Sequence, residues 1–83
     1  SELELIIKQL DNWTAEQGKD FLVNLISRLE QFTRMERCEL FRQYLSEPKL
    51  ANRLLEFAGS DYKDVNFVIN IVSTLGNMID RYG

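Results

Sequence analysis

The residues able to do acid–base, nucleophilic or metal chemistry are few. The 83-residue chain has no histidine and one cysteine, Cys38. Without imidazole, the commonest general base and metal ligand is missing. A single thiol cannot by itself build a zinc site of the usual type. Cys38 shares an apolar helical face with Phe41 and Leu45 and has no imidazole to activate it, so it reads as a structural thiol. Carboxylates pair by spacing at Glu36 and Glu39, and at Asp61 and Asp64, positions that equally suit a helix surface and a helix start. Asp61-Tyr62-Lys63-Asp64 lacks the glycine and the terminal glutamate of a calcium loop. The glycines, Gly18, Gly59, Gly76 and Gly83, stand apart and cannot form a phosphate cradle. Arg34, Arg37 and Arg42 are interleaved with Glu30, Glu36 and Glu39, the pattern of a salt-laced helix surface. No catalytic residue, metal site or cofactor is expected, and no enzymatic activity.

The elements that would hold any site are helical. From Asp64 to Tyr82 the polar residues fall at Asn66, Asn70, Ser73, Asn77 and Asp80. Steps of four and three make the stripe of an α-helix and outweigh the mild strand preference of the β-branched residues. The rest of that cylinder is apolar. Val65, Val68, Ile69, Val72, Leu75 and Ile79 form one face; Phe67, Ile71, Met78 and Tyr82 form a second. One apolar face suffices for a surface helix, so two imply burial by several neighbours or by a partner. The second stripe is the expected interface, with Trp13 as a further contact. Its alternative is internal core around a central last helix. The asparagine row is expected to face solvent, or else to form a polar seam that fixes pairing register. On this reading Ile71→Asp or Phe67→Asp leaves a folded monomer, and unfolding instead marks the stripe as core.

Four further helices precede it. Residues 2–11 place Leu3, Ile6, Ile7 and Leu10 on one face, with Glu2 and Glu4 at the end that favours negative charge. Residues 14–32 open with a Thr14–Gln17 capping box preceded by Trp13, which can pack back on Gly18 or Phe21. Phe21, Leu22, Leu25, Leu29 and Phe32 form the core stripe, Ile26 widens it, and Gly18 falls in the helix interior. Trp13, Phe21 and Phe32 are core residues by type, with a peptide groove as their alternative. Thr33 reads as the cap of a third helix, 34–45, unless residues 15–45 form one bent helix. Ser46 caps and Pro48 fits the first turn of a fourth, 47–58, burying Leu50, Ala51, Leu54, Leu55 and Phe57. Gly59 is the expected left-handed stop. Ser60 or Asp61 then caps the last helix, 61–82. The fold class is therefore all-α, a compact bundle of about five helices in one domain spanning 1–83, with the last helix central. The Ser1 start and abrupt end suggest a piece of a longer protein.

Composition narrows the partners. The chain is 45% hydrophobic with a net charge of −3, a folded composition that gives no support to phosphate-backbone binding. Acidic ends flank a basic middle. No apolar run is long enough to span a membrane, no signal peptide is visible, and one cysteine excludes an internal disulfide. An intracellular setting, cytoplasmic or nuclear, is expected. Residues 12–32, NWTAEQGKDFLVNLISRLEQF, resemble the dimerisation domain that precedes the F-box in beta-transducin-repeat F-box proteins. The shared features are Trp13, Thr14, an acidic residue before Phe21, Leu25-Ile26-Ser27 and Phe32. The resemblance implies an all-helical module that self-associates. The F-box's Leu-Pro opening has only a faint echo in Glu47-Pro48-Lys49-Leu50, so no ligase role is carried over. The expected function is non-enzymatic protein association, as a homodimer or other homo-oligomer, through apolar surface of the last helix. The alternative is a monomeric adaptor bundle, death-fold-like or a helical-repeat cap, that holds a partner helix or peptide. Neither nucleic acid, membrane nor small-molecule substrate is expected.

Overall fold

The computed structural model describes residues 1–35, 39–62 and 64–82, with side chains omitted at 35, 45 and 82. The expectations placed on Glu36, Arg37, Cys38 and the side chain of Tyr82 lie outside the described residues. Among the described residues five α-helices follow one another: α1 (Glu2–Asn12), α2 (Lys19–Met35), α3 (Leu40–Ser46), α4 (Lys49–Ala58) and α5 (Val65–Tyr82). Among the described residues there is no strand. The all-α bundle expected from periodicity is what forms.

Helix α1 is held at both ends. The Ser1 hydroxyl accepts from the Glu4 amide at 3.2 Å, and Leu3, Ile6, Ile7 and Leu10 are buried. At the other end Arg53 of α4 supplies the cap. Its guanidinium donates to the carbonyls of Leu10 at 3.1 Å and Trp13 at 2.8 Å. The Leu10 carbonyl also accepts the Trp13 amide at 3.4 Å, and a cation suits the partial negative charge of this helix end. The same guanidinium lies 4.4 Å from the centre of the Phe57 ring, and the Trp13 ring meets Phe57 edge-on at 5.7 Å.

The Thr14 capping box does form, with the Thr14 amide donating to Gln17 Oε1 at 3.0 Å. It opens only a 3₁₀ turn, Ala15–Gln17. Gly18 then takes φ +90°, which a continuing helix cannot accept, and the Trp13 indole N–H fastens to its carbonyl at 3.0 Å. Gly18 is therefore a turn residue rather than a helix-interior one, and α2 starts at Lys19 instead of residue 14. Leu22, Leu25, Ile26 and Leu29 are buried as the stripe required, whereas Phe21 remains substantially exposed. Thr33 does not start a helix: it is a buried residue inside α2, its hydroxyl donating to the Glu30 carbonyl at 2.7 Å.

Later boundaries shift for similar local reasons. The Ser46 hydroxyl bonds back to the Gln43 carbonyl at 2.8 Å, so Ser46 ends α3, and Pro48 precedes α4 rather than sitting in its first turn. Leu50, Leu54 and Phe57 of α4 are buried, but Leu55 is in water. Gly59 has φ −86° and is not left-handed. Asp64, rather than Ser60 or Asp61, caps α5: its Oδ1 accepts the Phe67 amide at 3.0 Å. Helix α5 packs against α2, α3 and α4, and α1 closes the bundle against α2 and α4. The radius of gyration, 11.9 Å, matches the roughly 12 Å expected of a single packed domain of this length.

Candidate functional site

Helix α5 has one face inside the bundle and the opposite face in water. Phe67, Ile71, Thr74 and Met78, spaced four, three and four, are buried. Phe67 also meets the Tyr62 ring edge-on at 4.8 Å. The expectation that Phe67, Ile71 and Met78 form an interface is thus corrected: α2, α3 and α4 close over that stripe. Trp13 is likewise half-buried against the core. The stated alternative, internal core, is what the second stripe forms, and the apolar row left open belongs to the other face named from sequence. Val65 is 72% exposed, Ile69 52%, Val72 61% and Ile79 61%, and the exposed Gly76 lies on the same line. Val68 and Leu75 are half-buried along one flank of this row. A shallow apolar groove of about 300 Å³ lies between Val65, Val68 and Ile69, with Asp64 at its edge.

A polar contact between α2 and α5 fixes which face points outward. The Asn77 amide group donates to Glu30 Oε2 and to Thr33 Oγ1, both at 3.1 Å. Arg34 grips both oxygens of the Glu30 carboxylate at 3.1 and 3.2 Å. Arg81 donates to the Arg34 carbonyl. Rotating α5 by one residue, about 100°, would carry Asn77 off α2 and leave the buried Thr33 without this neighbour. The asparagine row therefore splits. Asn66 is exposed, but Asn70 and Asn77 are half-buried, and Asn77 belongs to a seam within one chain.

A larger, open hollow of about 390 Å³ lies among the polar side chains of Asp11, Lys49, Asn52, Arg53 and Glu56. Trp13, Leu22, Phe57 and Tyr62 line a cleft of about 250 Å³ with Lys19, Ser60 and Asp61 at its rim. The Lys19 ammonium sits 5.0 Å from the centre of the Tyr62 ring. This cleft joins Trp13 to Phe57 and Tyr62, not to the Phe21 and Phe32 of the expected groove. The carboxylates scatter: Asp64 is used as a helix cap, and Glu39 pairs with Arg42 at 3.2 Å. Together with Arg34–Glu30, that pair follows the salt-laced helix surface expected; the exposed Arg42–Glu39 pair contributes little, whereas the Glu30 side chain is only 12% exposed. Among the described residues no three acidic or cysteine side chains gather as metal ligands would. None of their helices is long and apolar enough to cross a membrane.

The exposed row was missed from sequence because both faces of α5 read as apolar. One signal separated them. The buried face carries the bulky Phe67 and Met78, while the outer line contains Gly76, which fills no core space and costs a helix about 1 kcal/mol relative to alanine. Comparison with protein-family models, curated proteins and solved structures gives no match to this chain.

Proposed function

We propose that this domain is a non-enzymatic protein-association module whose working surface is the outer face of α5. The observation that carries this reading is the aligned exposure of Val65, Ile69, Val72 and Ile79 on one rigid helix. Scattered surface aliphatics need no explanation, but a contiguous row on one element is the usual mark of a docking face. With Gly76 counted, its steps of four, three, four and three fit the seam of a second amphipathic helix. Asn77, Thr33 and Glu30 hold that face outward before any partner arrives, which lowers the ordering cost of binding. The likeness of residues 12–32 to a dimerisation domain agrees with association, although those residues lie elsewhere in the bundle.

The test is selection from a displayed library of amphipathic helical peptides, against the wild-type domain and against Ile69→Asp/Val72→Asp. Both substitutions fall on exposed positions, so the variant should keep its helical circular dichroism. Peptides with apolar heptad seams should be recovered by the wild type and lose at least tenfold in affinity for the variant. Recovery of none, or binding that survives in the folded variant, would refute the reading.

A further inference from the structure

We infer that the helix received by the outer face of α5 is α5 of a second copy of this chain, running antiparallel about a two-fold axis. This rests on the association reading above and specifies its partner. Four positions of the row, Ile69, Val72, Gly76 and Ile79, are self-complementary, while Val65 falls past the end of the opposing α5 (Val65–Tyr82) and takes no part in the seam. Ile69 and Ile79 lie five residues either side of the level of Thr74, and Val72 and Gly76 lie two residues either side. At 1.5 Å per residue these are offsets of about 7.5 and 3 Å. An antiparallel copy related by a two-fold at that level sets Ile69 against Ile79 and Val72 against Gly76, twice over. A Cβ built on Gly76 meets nothing within 4 Å, so the helix carries an open notch there that a valine side chain can enter. In a parallel pair each position meets itself, Gly76 faces Gly76, and the notch stays empty.

Charge points to the same occupant. Residues 65–79 contain no charged side chain. Paired helices choose partners largely through charges flanking the seam. This seam offers no such handle to a charged foreign helix, and a second copy brings the same uncharged flank. In the antiparallel register Asp64 overhangs the end of the opposing helix, and Asp80 comes level with Val68. No two acidic residues of α5 are then opposed, although each copy carries a net charge of −3. The three paired side chains, Ile69, Val72 and Ile79, offer on the order of 300 Å² per copy, well under the roughly 800 Å² of a standard stable interface, so the pair is weak and exchanges readily.

Sedimentation equilibrium over a concentration series, with thiol cross-linking, tests the pairing. The wild-type mass should rise from 9.8 kDa toward twice that value. Gly76→Leu should weaken association at least tenfold while raising the melting temperature, which excludes misfolding as the cause. In a Cys38→Ser background, mixed Val72→Cys and Gly76→Cys chains should cross-link through a short bis-maleimide several-fold more efficiently than either alone. A wild type that stays at 9.8 kDa overturns the second copy but leaves the association reading standing if library peptides still bind. Efficient cross-linking of Val72→Cys alone, or unchanged association in Gly76→Leu, overturns the antiparallel notch.

Discussion

Replacing Phe67 and Val72 separately by alanine sets the two faces of α5 against each other on one helix. Phe67 is 1% exposed and Val72 61%. Truncating a buried phenylalanine removes its transfer free energy and leaves a cavity, a cost of about 3–5 kcal/mol. The domain as a whole is worth roughly 4–12 kcal/mol at 0.05–0.15 kcal/mol per residue. Phe67→Ala should therefore remove about a quarter or more of the stability and lower the melting temperature by at least about 12 °C. Val72 buries well under half of its side chain, so its truncation forfeits about 1 kcal/mol or less. Alanine returns about 0.5 kcal/mol of helix propensity, leaving a change near zero. Urea unfolding followed by far-ultraviolet circular dichroism measures both, at low micromolar protein so that self-association does not add to the wild-type stability. The slopes should match the wild type and the midpoints should separate. A Val72→Ala loss equal to or greater than that of Phe67→Ala would show that α5 is turned the other way.

The remaining expectations concern what fixes that orientation. Asn77→Ala should cost about 1–2 kcal/mol by urea titration, because the contacts to Glu30 and Thr33 are lost at a half-buried site. Asn77→Asp should cost more, since it sets a carboxylate against the Glu30 carboxylate. Arg53→Ala should destabilise by about 1–3 kcal/mol by removing its bonds to the Leu10 and Trp13 carbonyls. Arg53→Lys should recover little of that in the same titration, because one ammonium does not reproduce the guanidinium fork. Gly18→Ala should destabilise by about 1–2 kcal/mol through its positive φ although space is open around it. Gly76→Ala, in helical backbone with equally open space, should stabilise by about 1 kcal/mol in thermal melts.

Local patterning made the helices legible and their ends less so. The apolar spacing of α1 and α2 identified Leu3, Ile6, Leu25 and Leu29 as core because each helix had one greasy stripe. The ends slipped where two local signals competed. Thr14 and Gln17 formed their box, but the φ of Gly18 confined it to a single 3₁₀ turn. Thr33 had the chemistry of a cap, yet its hydroxyl closed on the preceding turn and the helix ran on. Ser60 and Asp61 were the expected caps, but α5 starts only at Val65 and the Phe67 amide is met by Asp64. Which apolar face of α5 lies in water was not legible for a different reason. Hydrophobicity alone cannot rank two apolar faces of one helix. The ranking comes from contacts over forty residues apart in sequence, such as Asn77 with Glu30 and Thr33, which no local window contains. The bulk of Phe67 and Met78 against the gap at Gly76 was the one sequence clue to that choice.

The most direct test of the account is the solution mass of the wild-type domain and of Ile69→Asp, by sedimentation equilibrium from micromolar to near-millimolar protein. The wild type should associate with rising concentration, and Ile69→Asp, equally helical, should remain at 9.8 kDa throughout. A wild type that stays monomeric and binds no helical peptide, or an Ile69→Asp variant that associates as strongly as the wild type, would contradict the outer face of α5 as the surface of association.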